Sequence, residues 1–182
     1  MAEVYENFQE LSEKETGYSI ECEDRSTDFA IVGIHGGQIE PGSEEVVRAI
    51  AGTDLSFYLF LGNESRQHIT STHFDEKDCL DLISKSKKVI SIHGEKGSEE
   101  FVMLGGLDKD LIAKAERGLT DAEFTVIPPA SNVRGNEENN LCNRCTSGKG
   151  LQIEMSRGLR DSLVQDQARM NAFAQIIRNL TR

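Results

Sequence analysis

An imidazole and a carboxylate five residues apart, His35 and Glu40, lie on either side of a Gly36-Gly37 pair. A glycine turn lets both side chains swing toward one point, which a helix would not. His93 repeats the theme, being followed by Gly94 and then Gly97. Two histidine nitrogens and a carboxylate oxygen, with a fourth position left for water, are the ligand set of catalytic zinc hydrolases, at expected distances of roughly 2.0 to 2.2 Å. The competing reading is structural: a histidine at a strand end is often a hydrogen-bonded framework residue, and Gly-Gly after a strand is a common turn. Spacing alone leaves both open.

Such a site also needs a base that takes a proton from water and passes it to a leaving amine. Glu154 is the candidate, because it lies in the apolar run Leu151-Gln152-Ile153-Glu154-Met155, where an unpaired carboxylate is costly and its pKa rises. A structural glutamate there would instead pair with Arg157 or Arg160. Asn143-Arg144 stands shortly before this run. A guanidinium grips a carboxylate through two parallel hydrogen bonds, which makes Arg144 a candidate clamp; a solvated surface arginine is the alternative. His68 and His73 flank Ile69-Thr70-Ser71-Thr72, either as supporting or substrate-contacting groups or as loop residues in solvent.

Positioning these groups falls to alternating strands and helices. Apolar, β-branched runs at 29–34, 55–61, 89–92, 101–104, 124–127 and 151–155 predict strands, the first of them buried on both faces. Helices are predicted at 3–15, at 75–85, at 108–117, over a single span at 163–180, and after Pro41, where Ser43-Glu44-Glu45 opens a turn with acids at its positive end. The alternation implies an α/β sheet with helices on both faces and sites at the carboxyl ends of its strands. That rule puts His35, His93 and Glu154 on one rim. We expect one catalytic domain over 1–182, with a peripheral N-terminal segment at 1–28 and an exposed loop at 131–140.

Composition narrows the partners. With 182 residues, a hydrophobic fraction of 37% and a net charge of -11, the chain can bury a core but lacks the clustered cations that nucleic acids require. The segment 141–160 is the exception, holding Arg144, Lys149, Arg157 and Arg160 against Glu154 alone; it reads either as an anion-facing surface or as a solvated face. No apolar run is long enough to span a membrane, and an acidic N-terminal stretch is no secretory signal, so synthesis in the cytoplasm is expected, with release by lysis left open. Cys22, Cys79, Cys142 and Cys145 are then expected to be free thiols, and the lone Cys142/Cys145 pair completes no zinc knuckle.

Five motifs in order carry a resemblance. These are the strand ending in His35-Gly36-Gly37-Gln38-Ile39-Glu40-Pro41-Gly42, then Ile69-Thr70-Ser71-Thr72-His73-Phe74-Asp75, Ile92-His93-Gly94, Asn143-Arg144, and Gly150 through Glu154 to Arg160. Together they resemble the phage-type poly-γ-glutamate hydrolase family. The resemblance implies a zinc carboxypeptidase-like fold, a single open mixed β-sheet, and one zinc per chain held by His35, Glu40 and His93. It implies Glu154 as general base and Asn143 and Arg144 as contacts to the substrate carboxylate or oxyanion; His73 and Arg157, in the same motifs, join them as substrate contacts. The implied substrate is the γ-amide-linked glutamate polymer of bacterial capsules. Two other readings stay open: a zinc amidase acting on small N-acylglutamates or peptidoglycan γ-glutamyl links, and a non-enzymatic module that binds an anionic partner. The oligomeric state is not legible.

Overall fold

Apolar runs become strands and amphipathic runs become helices in nearly the predicted order. The computed structural model describes residues 3–182; the first two residues of the segment expected to be peripheral lie outside that range. The chain runs through α1 (Phe8–Lys14), β1 (Tyr18–Glu23), β2 (Phe29–Gly37), α2 (Ser43–Ala51), β3 (Ser56–Gly62), α3 (Lys77–Lys85) and β4 (Lys88–Glu95). It continues through β5 (Val102–Gly105), α4 (Lys109–Asp121), β6 (Val126–Ile127), β7 (Leu151–Ser156), α5 (Arg157–Gln165) and α6 (Gln167–Arg178). The strands form one open sheet in the order β1-β3-β2-β4-β7-β5-β6. Its centre, β3-β2-β4-β7, is parallel, while β1 on β3 and β5 on β7 are antiparallel. The expected mixed sheet with helices on both faces is what forms. Among the described residues no helix is long and apolar enough to cross a membrane.

Alternation along the strands divides two cores. Ile31, Ile90, Ile92 and Ile153 point to one face, packing with Val47 and Ile50 of α2, Leu111 of α4, Leu163 of α5 and Phe173 of α6. Ala30, Val32, Tyr58 and Phe60 point to the other, packing with Leu11 of α1 and Leu82 and Ile83 of α3. Each fully buried Val, Leu, Ile or Phe among these contributes on the order of 1.5–3 kcal/mol before ordering costs. The second face is apolar under α1 and α3 but turns polar on β4 and β7, where Ser91, His93, Gln152 and Glu154 alternate with Ile90, Ile92, Leu151 and Ile153. Loop segments lie over this half instead: Ile69 to Ser71 bonds His35 and His93, and the chain from Val133 to Asn140 bonds Gln152, which is where a cavity forms.

Four details differ from the sequence expectation. Strand β1 was not expected, although Tyr18 and Ile20 face inward while Ser19 and Glu23 stay exposed; the acids masked a period of two. The N-terminal helix starts only at Phe8, because Asn7 accepts a hydrogen bond from the Glu10 amide and caps it there. Pro41 stands before the first turn of α2, and Gly42 takes the cap with a φ of 93°. The predicted 163–180 helix is two: Ser156 caps α5 directly after β7, and Asp166 ends α5 and caps α6.

Asp108 ties three elements together. It caps α4 by accepting from the Leu111 amide, pairs with Lys88 of β4, and donates its own amide to Gly150 O, 3.1 Å away and next to β7. Burial alone would raise its carboxyl pKa, but Lys88 and the Leu111 amide outweigh burial and hold it below the ordinary range. A depressed folded-state pKa stabilises the fold above the unfolded value of about 3.9, and that stability is lost as pH falls through the folded value. Asp108→Asn is therefore expected to cost roughly 1–3 kcal/mol near neutral pH. In urea unfolding followed by circular dichroism, the gap to the parent protein should shrink as the pH is taken below about 4; a gap independent of pH would rule the pairing out as its source.

Candidate metal centre

His35 lies inside β2 rather than beyond it, and the strand is irregular there. Gly33 pairs with Leu59 but Gly36 pairs with Leu61, so β2 carries one residue more than β3 across this stretch. A bulge of this kind re-aims a side chain, and here it brings His35 onto the polar face beside His93. The tight return that follows depends on Gly37: its φ is 66°, and a Cβ there would meet Gly62 O at 2.4 Å. The Glu40 amide donates back to His35 O at 2.8 Å, closing the loop that folds the Glu40 carboxylate over the imidazole.

The outer nitrogens of both rings are spoken for. His35 Nε2 lies 2.9 Å from Ile69 O, a carbonyl that can only accept, so Nε2 carries a proton and Nδ1 is the nitrogen turned inward. His93 Nε2 is 3.2 Å from Ser71 Oγ. The inner nitrogens face each other, His35 Nδ1 and His93 Nδ1 being 3.1 Å apart. Glu40 Oε1 is 2.8 Å from His35 Nδ1, Oε2 is 4.0 Å from His93 Nδ1, and Oε2 also accepts the Gly94 amide at 2.6 Å.

The electrostatics follow from that convergence. Burial alone would raise the Glu40 carboxyl, but His35, with help from His93 and the Gly94 amide, brings it down to about 2. Burial would likewise lower the His35 imidazole, and the Glu40 carboxylate outweighs it and raises the pKa. His93, buried and beside His35, is pushed down to about 3. A neutral His93, a lone pair on each inner nitrogen and an ionised carboxylate are the protonation states that bind a divalent metal. Without a metal, the raised pKa of His35 favours a proton on the nitrogen 2.8 Å from Glu40 Oε1, which a metal ion would displace.

A second trio shares two members, since His35, Glu40 and His68 offer donor atoms within 4.8 Å of one another. The ring planes favour His93 as third donor. His68 stacks on His35, with centroids 4.0 Å apart at 26°, so in-plane lone pairs run nearly side by side. His35 and His93 are inclined at 69° and can converge.

Glu154 stands directly across the β4/β7 pairing from His93. Burial, reinforced by Glu40 and Glu95, raises its carboxyl pKa well above the ordinary value. Gln152 donates to Glu154 Oε1 at 3.0 Å and to Val133 O at 3.1 Å, while accepting from Asn140 Nδ2 at 3.0 Å. Arg160 is 4% exposed, donates to Pro41 O, Glu95 O and Met155 O, and fills the space left by Gly94, where a Cβ would lie 2.2 Å from its Nη1. His35, Glu40, His68, His93, Glu154, Arg157 and Arg160 all line one cavity of about 860 Å³.

Three expected substrate contacts are not in that wall. Asn143 is buried with its amide fully used: Oδ1 accepts from Leu107 and Gly150, and Nδ2 donates to Gly135 O and Glu137 O. It fastens a loop and has nothing left for a ligand. Arg144 donates to Phe74 O at 3.0 Å, outside the cavity. His73 is half-exposed and reaches Glu3 instead. Arg157 does reach the rim, with its Nε on Asp161 at 2.6 Å. Sequence reasoning missed Arg160 and gave His68 no definite place. The signal for Arg160 was a charge inside the buried stripe Leu159, Arg160, Leu163 of a helix, visible only once 157–165 is recognised as helical.

A family model described as poly-gamma-glutamate hydrolase matches residues 5–176. The chain belongs to that family. It is 39% identical over 163 residues to the SPbeta prophage-derived protein YoqZ of Bacillus subtilis, covering 85% of this chain but 59% of that relative's length. A solved bacteriophage poly-gamma-glutamate hydrolase superposes with a TM-score of 0.92 at 28% identity, covering 98% of this chain and 96% of the other. A zinc-free structure of YndL, a Bacillus subtilis protein, gives 0.90 at 32% identity, over 98% and 96%.

The ligand choice is testable directly. Titrated with zinc and followed by calorimetry, His93→Ala should lose at least about tenfold in affinity, whereas His68→Ala should stay close to the parent protein. The reverse pattern would assign the third donor to His68.

Proposed function

We propose that this chain is a zinc-dependent hydrolase of γ-glutamyl amide bonds in poly-γ-glutamate, one zinc per chain being held by His35 Nδ1, Glu40 and His93 Nδ1. The observation that carries the reading is the meeting of two inward imidazole nitrogens and a carboxylate opposite the buried Glu154. The donor set suits zinc: two nitrogens and one oxygen, each anchored from behind by Ile69 O, Ser71 Oγ or the Gly94 amide. A zinc ion there supplies Lewis acidity, polarising a carbonyl and acidifying water toward neutral pH. The family match supports hydrolysis, and the zinc-free description of the YndL structure supports the metal.

The chain's own groups do the remaining work. Glu154, with its raised pKa, takes a proton from the attacking water and gives it to the amine nitrogen as the C–N bond breaks. Gln152 aims that carboxylate into the cavity. Arg160 takes the place expected of Arg144, setting a fixed positive charge in a nearly water-free wall, where charge acts most strongly on a developing oxyanion. Arg157 at the rim meets the carboxylates of an incoming chain. Its reach matters because a net charge of -11 repels a polyanion at long range, and attraction must be regained within about 8 Å.

Glu154→Gln tests the assignment. Purified protein should keep about one zinc per chain by elemental analysis yet lose roughly 10² to 10⁴ in kcat for shortening poly-γ-glutamate, while chelation should abolish activity of the parent protein and added zinc restore it. Undiminished turnover in Glu154→Gln would remove it from the chemistry. Chelator-insensitive shortening would remove the metal.

A further inference from the structure

One corner of the cavity already holds a carboxylate from the chain itself. Glu3 Oε1 accepts the Thr70 amide at 2.5 Å and lies 3.8 Å from His68 Nδ1, while Oε2 lies 3.4 Å from His73 Nδ1. Among the described residues this is the one hydrogen bond the Thr70 N–H makes. Glu3, His68 and Thr70 all line the cavity that holds the metal donors. The far nitrogen of His68, Nε2, is 4.0 Å from Glu40 Oε1, so a carboxylate in this corner sits one imidazole ring away from the metal ligands.

We propose that the Thr70 amide, His68 and His73 form a subsite for the α-carboxylate of a glutamyl unit at the scissile γ-amide, and that Glu3 occupies it in the free protein as an internal competitor. The inference rests on the γ-glutamyl hydrolase reading and deepens it. In a γ-linked chain, every amide carbonyl is tied by a short aliphatic stem to an α-carboxylate. An enzyme that places the carbonyl at the metal donors must therefore house a carboxylate nearby, and a glutamate side chain presents the same chemical group. A backbone N–H with two imidazoles is a donor set suited to a carboxylate.

The segment carrying Glu3 is tied down loosely. Val4 is 54% exposed, while Tyr5, 4% exposed, bonds to Glu15 and begins the packed part of the chain. Residues 3 and 4 can leave the cavity without opening the core. Their departure would free the Thr70 amide, whose bond to Glu3 is exposed, to take an incoming carboxylate as its partner in place of water, a charge-assisted bond being the stronger of the two. His73, absent from the cavity wall, thereby regains the substrate contact expected from its motif.

The test uses γ-glutamylglutamate as probe, titrated calorimetrically into zinc-loaded protein carrying Glu154→Gln to prevent turnover. Adding Glu3→Ala should tighten binding by roughly three- to tenfold, the factor by which an internal occupant lowers apparent affinity. Adding His73→Ala to that variant should cancel the gain. Unchanged or weaker binding on removing Glu3 would overturn the proposal and leave Glu3 as a tether. If Glu3→Ala lowers Tm, Glu3→Gln decides: it keeps the side chain's shape without its charge, and tighter binding supports the subsite while unchanged affinity overturns it. Shortening of poly-γ-glutamate by the parent protein is scored separately. Its absence alongside tightened dipeptide binding would sink the hydrolase reading and spare the subsite; its presence with unmoved affinities would do the opposite.

Discussion

Two buried imidazole nitrogens pointing at each other across 3.1 Å are the constraint around which this protein is arranged. Neither nitrogen can turn away, because the opposite side of each ring is fixed by Ile69 O or Ser71 Oγ. Lone pairs facing one another in a dry interior are tolerated only with something positive between or beside them. Here the Glu40 carboxylate, 2.8 Å from His35 Nδ1, raises the pKa of that imidazole and so favours a proton between the rings. The bulge in β2, the Gly37 turn, the segment from Ile69 to Ser71 and the Gly94 amide all serve to hold that geometry.

The convergence of these groups was legible in the sequence. His35, His93 and Glu154 were expected on one rim because parallel strands gather side chains at their carboxyl ends, and Glu40 beside them because a glycine pair lets a carboxylate return to its histidine; the structure brings all four to one cavity. The helix around Arg160 was not found, since Ser156-Arg157-Gly158 reads equally well as the frayed end of a strand. Arg144 is placed otherwise than expected. An Asn-Arg pair shortly before a strand with a buried carboxylate invites a substrate role, yet Asn143 spends its hydrogen bonds on the backbone around it and Arg144 turns to Phe74 O. Which of two nearby histidines faces the site is likewise a matter of loop path, and no pattern in Ile69-Thr70-Ser71-Thr72 encodes it.

The uneven covering of the sheet explains why a site exists at all. Four helices close one face and two close only part of the other, so β4, β7 and the carboxyl end of β2 hold buried polar side chains there. The chain over that gap is pinned through Gln152, Asn140 and Asn143. The glutamine that anchors this loop, through Asn140 and Val133, is the one that bonds Glu154.

The open sheet has two edges, and an open edge is a row of unpaired amides on which a further strand can grow. Strand β1 meets this with charged side chains along its length, Glu21 paired with Arg48 and Glu23 with Arg25, which a second copy laid against it would have to desolvate. Strand β6 meets it by brevity, being two residues long and followed at once by Pro128 and Pro129, which have no amide hydrogen to offer. The fold thus carries its own protection against fibril-like self-association, one edge guarded by charge and the other by lack of length.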